Sequence, residues 1–173
     1  MKKFLLLILF VVLLVGCGPI KKNSGDLFEG QLHHDKHSDA NAVYTCYEKI
    51  KLNNDKTNAK NDVTVEVDPN GKLIAFGKIT NYSTEKYFNY WCNLGQTGIE
   101  KLKSSNETGI YYDQKCDKDS NLVSNRQIYV VSELLTERAA YHMSSVSQYI
   151  KDGVFDVNKW RDFYINDFKY TCD

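Results

Sequence analysis

Three histidines and two aspartates near the N-terminus form a dense group of potential metal ligands. They are His33, His34, Asp35, His37 and Asp39. Imidazole nitrogens and carboxylate oxygens can bind zinc, copper or nickel. Polar residues surround this group, however, and a mobile segment loses conformational entropy when it is ordered around a metal ion. We therefore expect a solvated linker here, and we keep metal capture by His33, His34 and His37 as an alternative.

The remaining sequence contains no Gly-rich phosphate loop, no G-x-S-x-G motif and no H-E-x-x-H motif. His142 is the only histidine beyond the N-terminal group, and its helical spacing is typical of a surface residue or a satisfied core residue. Residues 117–121 alternate as in a calcium-binding loop, but Leu122 and Ile128 stand where that loop needs Gly and Glu. We expect a plain turn there, and no catalytic residue or cofactor is assigned.

One of the five cysteines, Cys17, has unusual surroundings. It follows two lysines and the twelve apolar residues 4–15, a run that suits a signal peptide and is too short to span a bilayer. A transmembrane anchor or a buried helix is the alternative, although Gly and Pro residues end the run at once. Residues 14–17, Leu-Val-Gly-Cys, resemble the bacterial lipobox. That resemblance implies a signal peptide over residues 1–16, lipidation of Cys17, and anchoring to the outer side of the cell membrane by acyl chains.

Four cysteines remain if Cys17 is lipidated, and none of them belongs to a C-x-x-C pair, so zinc and redox motifs are poorly supported. An exported location would allow two disulfides. The tripeptide Tyr-Thr-Cys ends at both Cys46 and Cys172, near the two ends of the domain. If those ends are neighbouring strands, Cys46 pairs with Cys172 and Cys92 with Cys116. The other two pairings and four free thiols stay open as alternatives.

The overall charge is balanced, with 22 basic and 22 acidic residues among 173. No basic excess is present to hold nucleic acid, and we expect no nucleic-acid partner. The length predicts one domain. We divide the chain into a signal peptide (1–16), a lipidated N-terminus with a flexible tether (17–40), and a single disulfide-stapled domain (41–173).

Hydrophobic periodicity predicts a mixture of strands and helices within the domain. The predicted strands cover residues 42–50, 62–68, 72–80, 109–116, 127–131 and 168–172. The predicted helices begin at Ser83, Thr136 and Asp156, and the first two end near residues 102 and 151. In the second strand the valines should face the core, while Thr64 and Glu66 should face solvent. The order predicts an α+β fold, with two to three helices packed on a mainly antiparallel sheet, preceded by a signal-peptide helix and a flexible linker.

Several of these features together resemble an uncharacterised family of small lipoproteins from low-GC Gram-positive bacteria. They are the lipobox, the two Tyr-Thr-Cys tripeptides and the alternating hairpin of residues 63–76. A more remote similarity to YehR-type lipoproteins accompanies them. The resemblance implies a fold and an extracytoplasmic, lipid-anchored location, and it supplies no activity. Cys92 and Cys116 depart from the two-cysteine pattern.

The function that these observations favour is a membrane-anchored binding or interaction module, with an unidentified protein or envelope component as ligand. An extracytoplasmic enzyme with dispersed acidic residues is the alternative. Twelve tyrosines and two tryptophans could supply a binding surface. A pocket with convergent carboxylates would favour the enzyme, whereas an aromatic surface would favour binding.

Overall fold

The computed structural model describes residue 32, residues 34–52 and residues 57–173. Within these ranges the fold is α+β, with a six-stranded antiparallel sheet and three α-helices. The predicted fold class is therefore confirmed. The predicted signal peptide and Cys17 lie outside the described residues.

The main sheet consists of five long strands and one short one. They are β1 (Ala42–Leu52), β2 (Thr57–Val67), β3 (Leu73–Ser83), β4 (Ile110–Asp117), β5 (Leu122–Val130) and β8 (Thr171–Cys172). Their spatial order is β4-β5-β3-β2-β1-β8, and all pairs are antiparallel. A separate small hairpin joins β6 (Ile150–Lys151) to β7 (Val154–Phe155).

The helices are α1 (Phe88–Ser104), α2 (Thr136–His142) and α3 (Val157–Phe168). Asp156 caps α3 as predicted, because its side chain accepts a hydrogen bond from the Lys159 backbone N–H. Ser83 does not cap α1, since it is the last residue of β3. No side chain among the described residues caps α1; the Thr84 hydroxyl accepts from the Tyr87 N–H at 3.1 Å in the turn before the helix.

Several predicted elements have different bounds in the structure, among them β5, which begins at Leu122 and not at Gln127. Residues 51–61 lie between two predicted strands and were expected to form a loop. In the structure β1 and β2 extend into that range, and alternate residues of β2 such as Ala59 are buried there. The helix expected to reach residue 151 ends at His142 and continues as short 3-10 turns. The last strand is shorter than predicted, because α3 extends to Phe168.

The sheet has two unequal faces. We call the side that carries the helices the helix-side face, and the opposite side the far face. The core lies on the helix-side face, where Trp160 of α3 is 2% exposed and belongs to one apolar cluster with Val65, Phe76 and Cys46. Large aromatic side chains of this kind bury 150–250 Å² each, about 4–6 kcal/mol of apolar transfer free energy at 25 cal/mol per Å².

Two disulfides fix the ends of this arrangement. Cys46 and Cys172 are direct partners in the β1–β8 pairing and are bonded, and a second bond joins Cys92 of α1 to Cys116 of β4. These are the two pairs expected from the sequence. In the part of the chain that the structure describes, no helix is long and apolar enough to cross a membrane.

Candidate ligand-binding groove

His34 and His37, which the sequence analysis kept only as alternative metal ligands, meet a buried carboxylate instead of a common ion position. Their ring nitrogens lie 2.5 and 2.8 Å from Oε1 of Glu66, which is 0% exposed. Zinc with bonds of about 2.0–2.1 Å would hold two tetrahedral ligands about 3.3 Å apart, so these contacts have hydrogen-bond geometry. Among the described residues, no group of three His, Cys, Asp or Glu could hold a metal ion. His33 lies outside the described residues.

The same segment is attached to the far face at further points. The His37 backbone N–H donates to Glu66 Oε2 at 2.9 Å, and Arg126 donates to Asp35 at 2.8 Å. At its start, the Leu32 N–H donates to the Ser124 hydroxyl at 3.2 Å. The expectation of a solvated linker is therefore wrong for residues 34–40. Residues 17–31 of the predicted tether lie outside the described ranges.

The second face of β2, which was expected to face solvent, is buried at Thr64 and Glu66. Both were assigned to solvent, yet both are buried on the far face. The reason is long-range: Glu66 accepts from His34 and His37, which lie about thirty positions earlier in the chain. A buried carboxylate needs such donors, because an unpaired charge would lose its hydration without compensation.

His142 and the turn at residues 117–121, for which the sequence favours structural roles, both have structural contacts. His142 Nε2 lies 3.1 Å from Glu107 Oε2, and Glu107 also pairs with Arg138, so this histidine is a satisfied residue between α2 and the loop after α1. Asp117 accepts the N–H groups of Asp119 and Ser120 and forms a plain turn, as expected. A hydrogen bond from the Ser120 side chain is the main cause that lowers the pKa of Asp117 below its usual value, and the two backbone hydrogen bonds add to it.

Among the described residues, a groove lies on the helix-side face, between α1 and α3. Two cavities of 180 and 260 Å³ share Lys78 of β3 and Gln127 of β5 in their linings. These two residues are direct cross-strand partners, so they form the middle of the groove floor. The combined volume of the two cavities falls within the range of about 300–1,000 Å³ that is typical of small-molecule sites. None of the patterns recognised in the sequence indicates this groove.

The cavity beside α1 is walled by aromatic side chains. The rings of Tyr82 and Trp91 stack with centroids 4.2 Å apart and an angle of 6° between their planes. Tyr112 and Leu94 complete the wall. Burial raises the pKa of Tyr82, with smaller contributions from Tyr112 and Tyr90, so its hydroxyl stays protonated and can donate a hydrogen bond.

The cavity beside α3 has a second aromatic stack. Phe76 and Tyr129 lie with ring centroids 4.8 Å apart and an angle of 7° between their planes. Trp160, Tyr164 and the hydroxyl-bearing Ser145 also line this cavity. Burial raises the pKa of both Tyr129 and Tyr164. The groove therefore has an aromatic group at each end.

The wall formed by α1 is held rigidly against the sheet. The Gln114 amide donates to the Cys92 carbonyl at 2.9 Å and to Asn125 Oδ1 at 3.0 Å. Gly95 makes this approach possible, since a Cβ at that position would overlap the Gln114 amide nitrogen. With the Cys92–Cys116 bond, these contacts fix the position of Trp91 before any ligand arrives.

The electrostatic character of the groove is set by Lys78. Its side chain is exposed, and it makes no ion pair with any of the described residues. The described linings of the two cavities contain neither Asp nor Glu. Arg126 contributes to the first lining, but its guanidinium group bonds Asp113 and Asp35 on the far face. The arrangement can accept apolar rings, hydrogen-bonding groups and one negative charge.

Comparisons of the chain with protein-family models, with curated proteins and with solved structures found no match. The geometry of the groove and the location that the disulfides indicate are therefore the basis for inferring a function.

Proposed function

We propose that the protein is a lipid-anchored binding protein that acts outside the cytoplasm, and that the groove is its ligand site. The two disulfides indicate an extracytoplasmic location, because such bonds persist in oxidising compartments. The observation that carries the binding function is the fixed pair of aromatic stacks on either side of Lys78.

The rigidity of this site supports binding. The two stacks and the Gln114 contacts already order the groove walls, so a ligand would not have to immobilise many side chains. Each rotamer-rich side chain that must be ordered costs about 0.5–1.5 kcal/mol of affinity. A groove that is ordered in advance retains that free energy for the ligand.

The lipid anchor is proposed from the lipobox-like residues 14–17. A Cys17→Ser variant removes the thiol that would receive the diacylglyceryl group. We expect it to lose labelling by a radioactive or alkynyl fatty acid and to leave the membrane fraction. Retention of the variant in the membrane fraction would contradict the proposed anchor.

The groove is tested with a photoreactive amino acid at two matched positions. Leu94 lines the groove and is 50% exposed, while Val154 is 49% exposed in the β6–β7 hairpin, away from the groove. In cells that export the full chain, we expect a discrete adduct from position 94 and only background from position 154. Equal labelling at both positions would contradict a ligand site in the groove.

A further inference from the structure

The floor of the groove has a polar centre and aromatic ends. Its central side chains come from β3 and β5, and they are Lys78, Thr80, Asn125 and Gln127. From Phe76 to Tyr82 the floor covers six residue steps of β3, or about 20 Å at 3.4 Å per residue. A ligand that fits this pattern has at least two flat, partly apolar units joined by a polar region.

The charge of the groove restricts that polar region further. Lys78 offers an ammonium group with three donors, and the described lining holds no carboxylate to compete for it. The guanidinium group of Arg126 is engaged by Asp113 and Asp35 on the other side of the sheet. One available cation matches one negative charge, as a carboxylate provides.

Rings with hydroxyl and amide substituents satisfy both requirements. The C–H faces of a pyranose can lie against aromatic rings, while its peripheral groups exchange hydrogen bonds with amide and hydroxyl side chains. An extended peptide commonly binds by pairing its backbone with the exposed edge of a sheet. In this sheet such an edge is formed by β4, and it lies away from the groove floor. The lining by side chains therefore favours a sugar over a peptide.

We infer that the groove binds a short glycan that carries a carboxylate. The acid lies at Lys78, one sugar ring lies against the Tyr82–Trp91 stack, and another lies against the half-buried Tyr129 and Tyr164. This inference rests on the proposed binding function and names the ligand class of the same site. Outside the cytoplasm, such a glycan is available wherever acidic amino sugars form part of the envelope.

Two disaccharides that differ in one acidic substituent provide the test. N-acetylglucosaminyl-N-acetylmuramic acid carries a lactyl carboxylate, and di-N-acetylchitobiose lacks it. By calorimetry on the full-length protein in detergent, we expect the acidic disaccharide to bind about tenfold more tightly, as a charge-assisted hydrogen bond allows. Lys78→Met should abolish this difference and leave chitobiose binding unchanged. Lys49→Met, an exposed change on the far face, should preserve the difference.

The outcomes separate the glycan assignment from the binding function. Equal affinity for the two sugars, or an equal loss of both in Lys78→Met at an unchanged melting temperature, would overturn the role of the carboxylate. If neither sugar binds but position 94 still gives an adduct, the glycan assignment falls and the groove remains a ligand site. A peptide adduct at position 94 would also overturn the glycan assignment. If there is neither binding nor an adduct, both proposals fall.

Discussion

Removal of the buried carboxylate on the far face should detach the N-terminal segment from the sheet. Glu66 is completely buried and accepts three hydrogen bonds, one from the ring of His34 and two from His37. The Glu66→Ala substitution removes the acceptor and leaves all three donors without a partner. Residues 34–40 then lose their central attachment.

The size of the effect follows from the burial of the donors. The side chain of His34 is only 7% exposed, so its N–H cannot reach water freely, whereas that of His37 is 35% exposed and can. One stranded buried donor costs about 1–3 kcal/mol, and the missing side-chain atoms add about 1 kcal/mol as an incompletely filled space. We therefore expect the free energy of unfolding to fall by about 2–4 kcal/mol.

Urea unfolding measures this loss, and amide hydrogen exchange locates it. Exchange should accelerate over residues 34–40, while the helix-side core around Trp160 keeps its protection. Glu100→Ala is the matched control, since it removes an exposed carboxylate of α1 and should change stability by less than about 0.5 kcal/mol. If Glu66→Ala lowers the free energy of unfolding by less than about 1 kcal/mol and leaves exchange over residues 34–40 unchanged, Glu66 does not hold this segment on the sheet.

Three further predictions concern the disulfides, α1 and the response to alkali. Replacing both cysteines of the β1–β8 disulfide with serine opens a loop of 126 positions and should lower the free energy of unfolding in urea by up to about 5 kcal/mol. The same replacement at the α1–β4 disulfide opens a loop of 24 positions and should lower it by about 3.5 kcal/mol. The reverse order would argue against control by loop entropy. Gly95→Ala should lower the melting temperature by displacing Gln114, whereas Gly98→Ala, whose new Cβ meets the nearest ring at 3.3 Å, should keep most of the helical gain of about 1 kcal/mol. A higher melting temperature for both variants would contradict the close contact between Gly95 and Gln114. Burial and a hydrogen bond to Glu48 raise the pKa of Tyr170, so the folded state retains a proton that the unfolded chain releases above about pH 10. Stability should therefore fall as the pH rises above 10, and Tyr170→Phe should reduce the slope; an unchanged slope would remove Tyr170 as its cause.

The local patterns in the sequence were sufficient for the fold class. Alternation in residues 63–76 indicates the β2–β3 hairpin, and the repeated Tyr-Thr-Cys indicates that the first and last strands are neighbours. These features are local, or relate two short motifs directly, so they can be recognised without knowledge of the packing. The bounds of α2 and of the last strand were less accurate, because 3-10 turns and the end of α3 depend on the neighbouring core.

The far-face attachment could not be recognised in the same way. The alternation of Val63, Val65 and Val67 assigns Glu66 to the opposite face, but it does not show whether that face is covered. The covering residues come from a polar segment whose composition is typical of a linker. The contacts of Glu66 with two histidines and of Arg126 with Asp35 show that this segment is attached, and both join residues distant in sequence.

The groove was missed because its parts are distant in sequence and meet only across strands. Lys78 and Thr80 were in a predicted strand, but the partner strand was predicted to begin at Gln127, which left Asn125 in a loop. With the observed start at Leu122, Asn125 and Gln127 fall on the same face as Lys78. Polar residues at alternate positions of two paired strands, on the face that carries the helices, were the signal that could have indicated a site.

Amide chemical-shift mapping tests the central claim, that the helix-side groove is the ligand site, most directly. The isotope-labelled full-length protein in detergent micelles would be titrated with muramidase-solubilised envelope glycan. Saturable shifts should be concentrated along residues 76–82 and 123–129 and in the first half of α1, with little change over residues 34–40. The absence of saturable shifts would contradict the glycan assignment, and saturable shifts centred on the far face would contradict the groove as the ligand site.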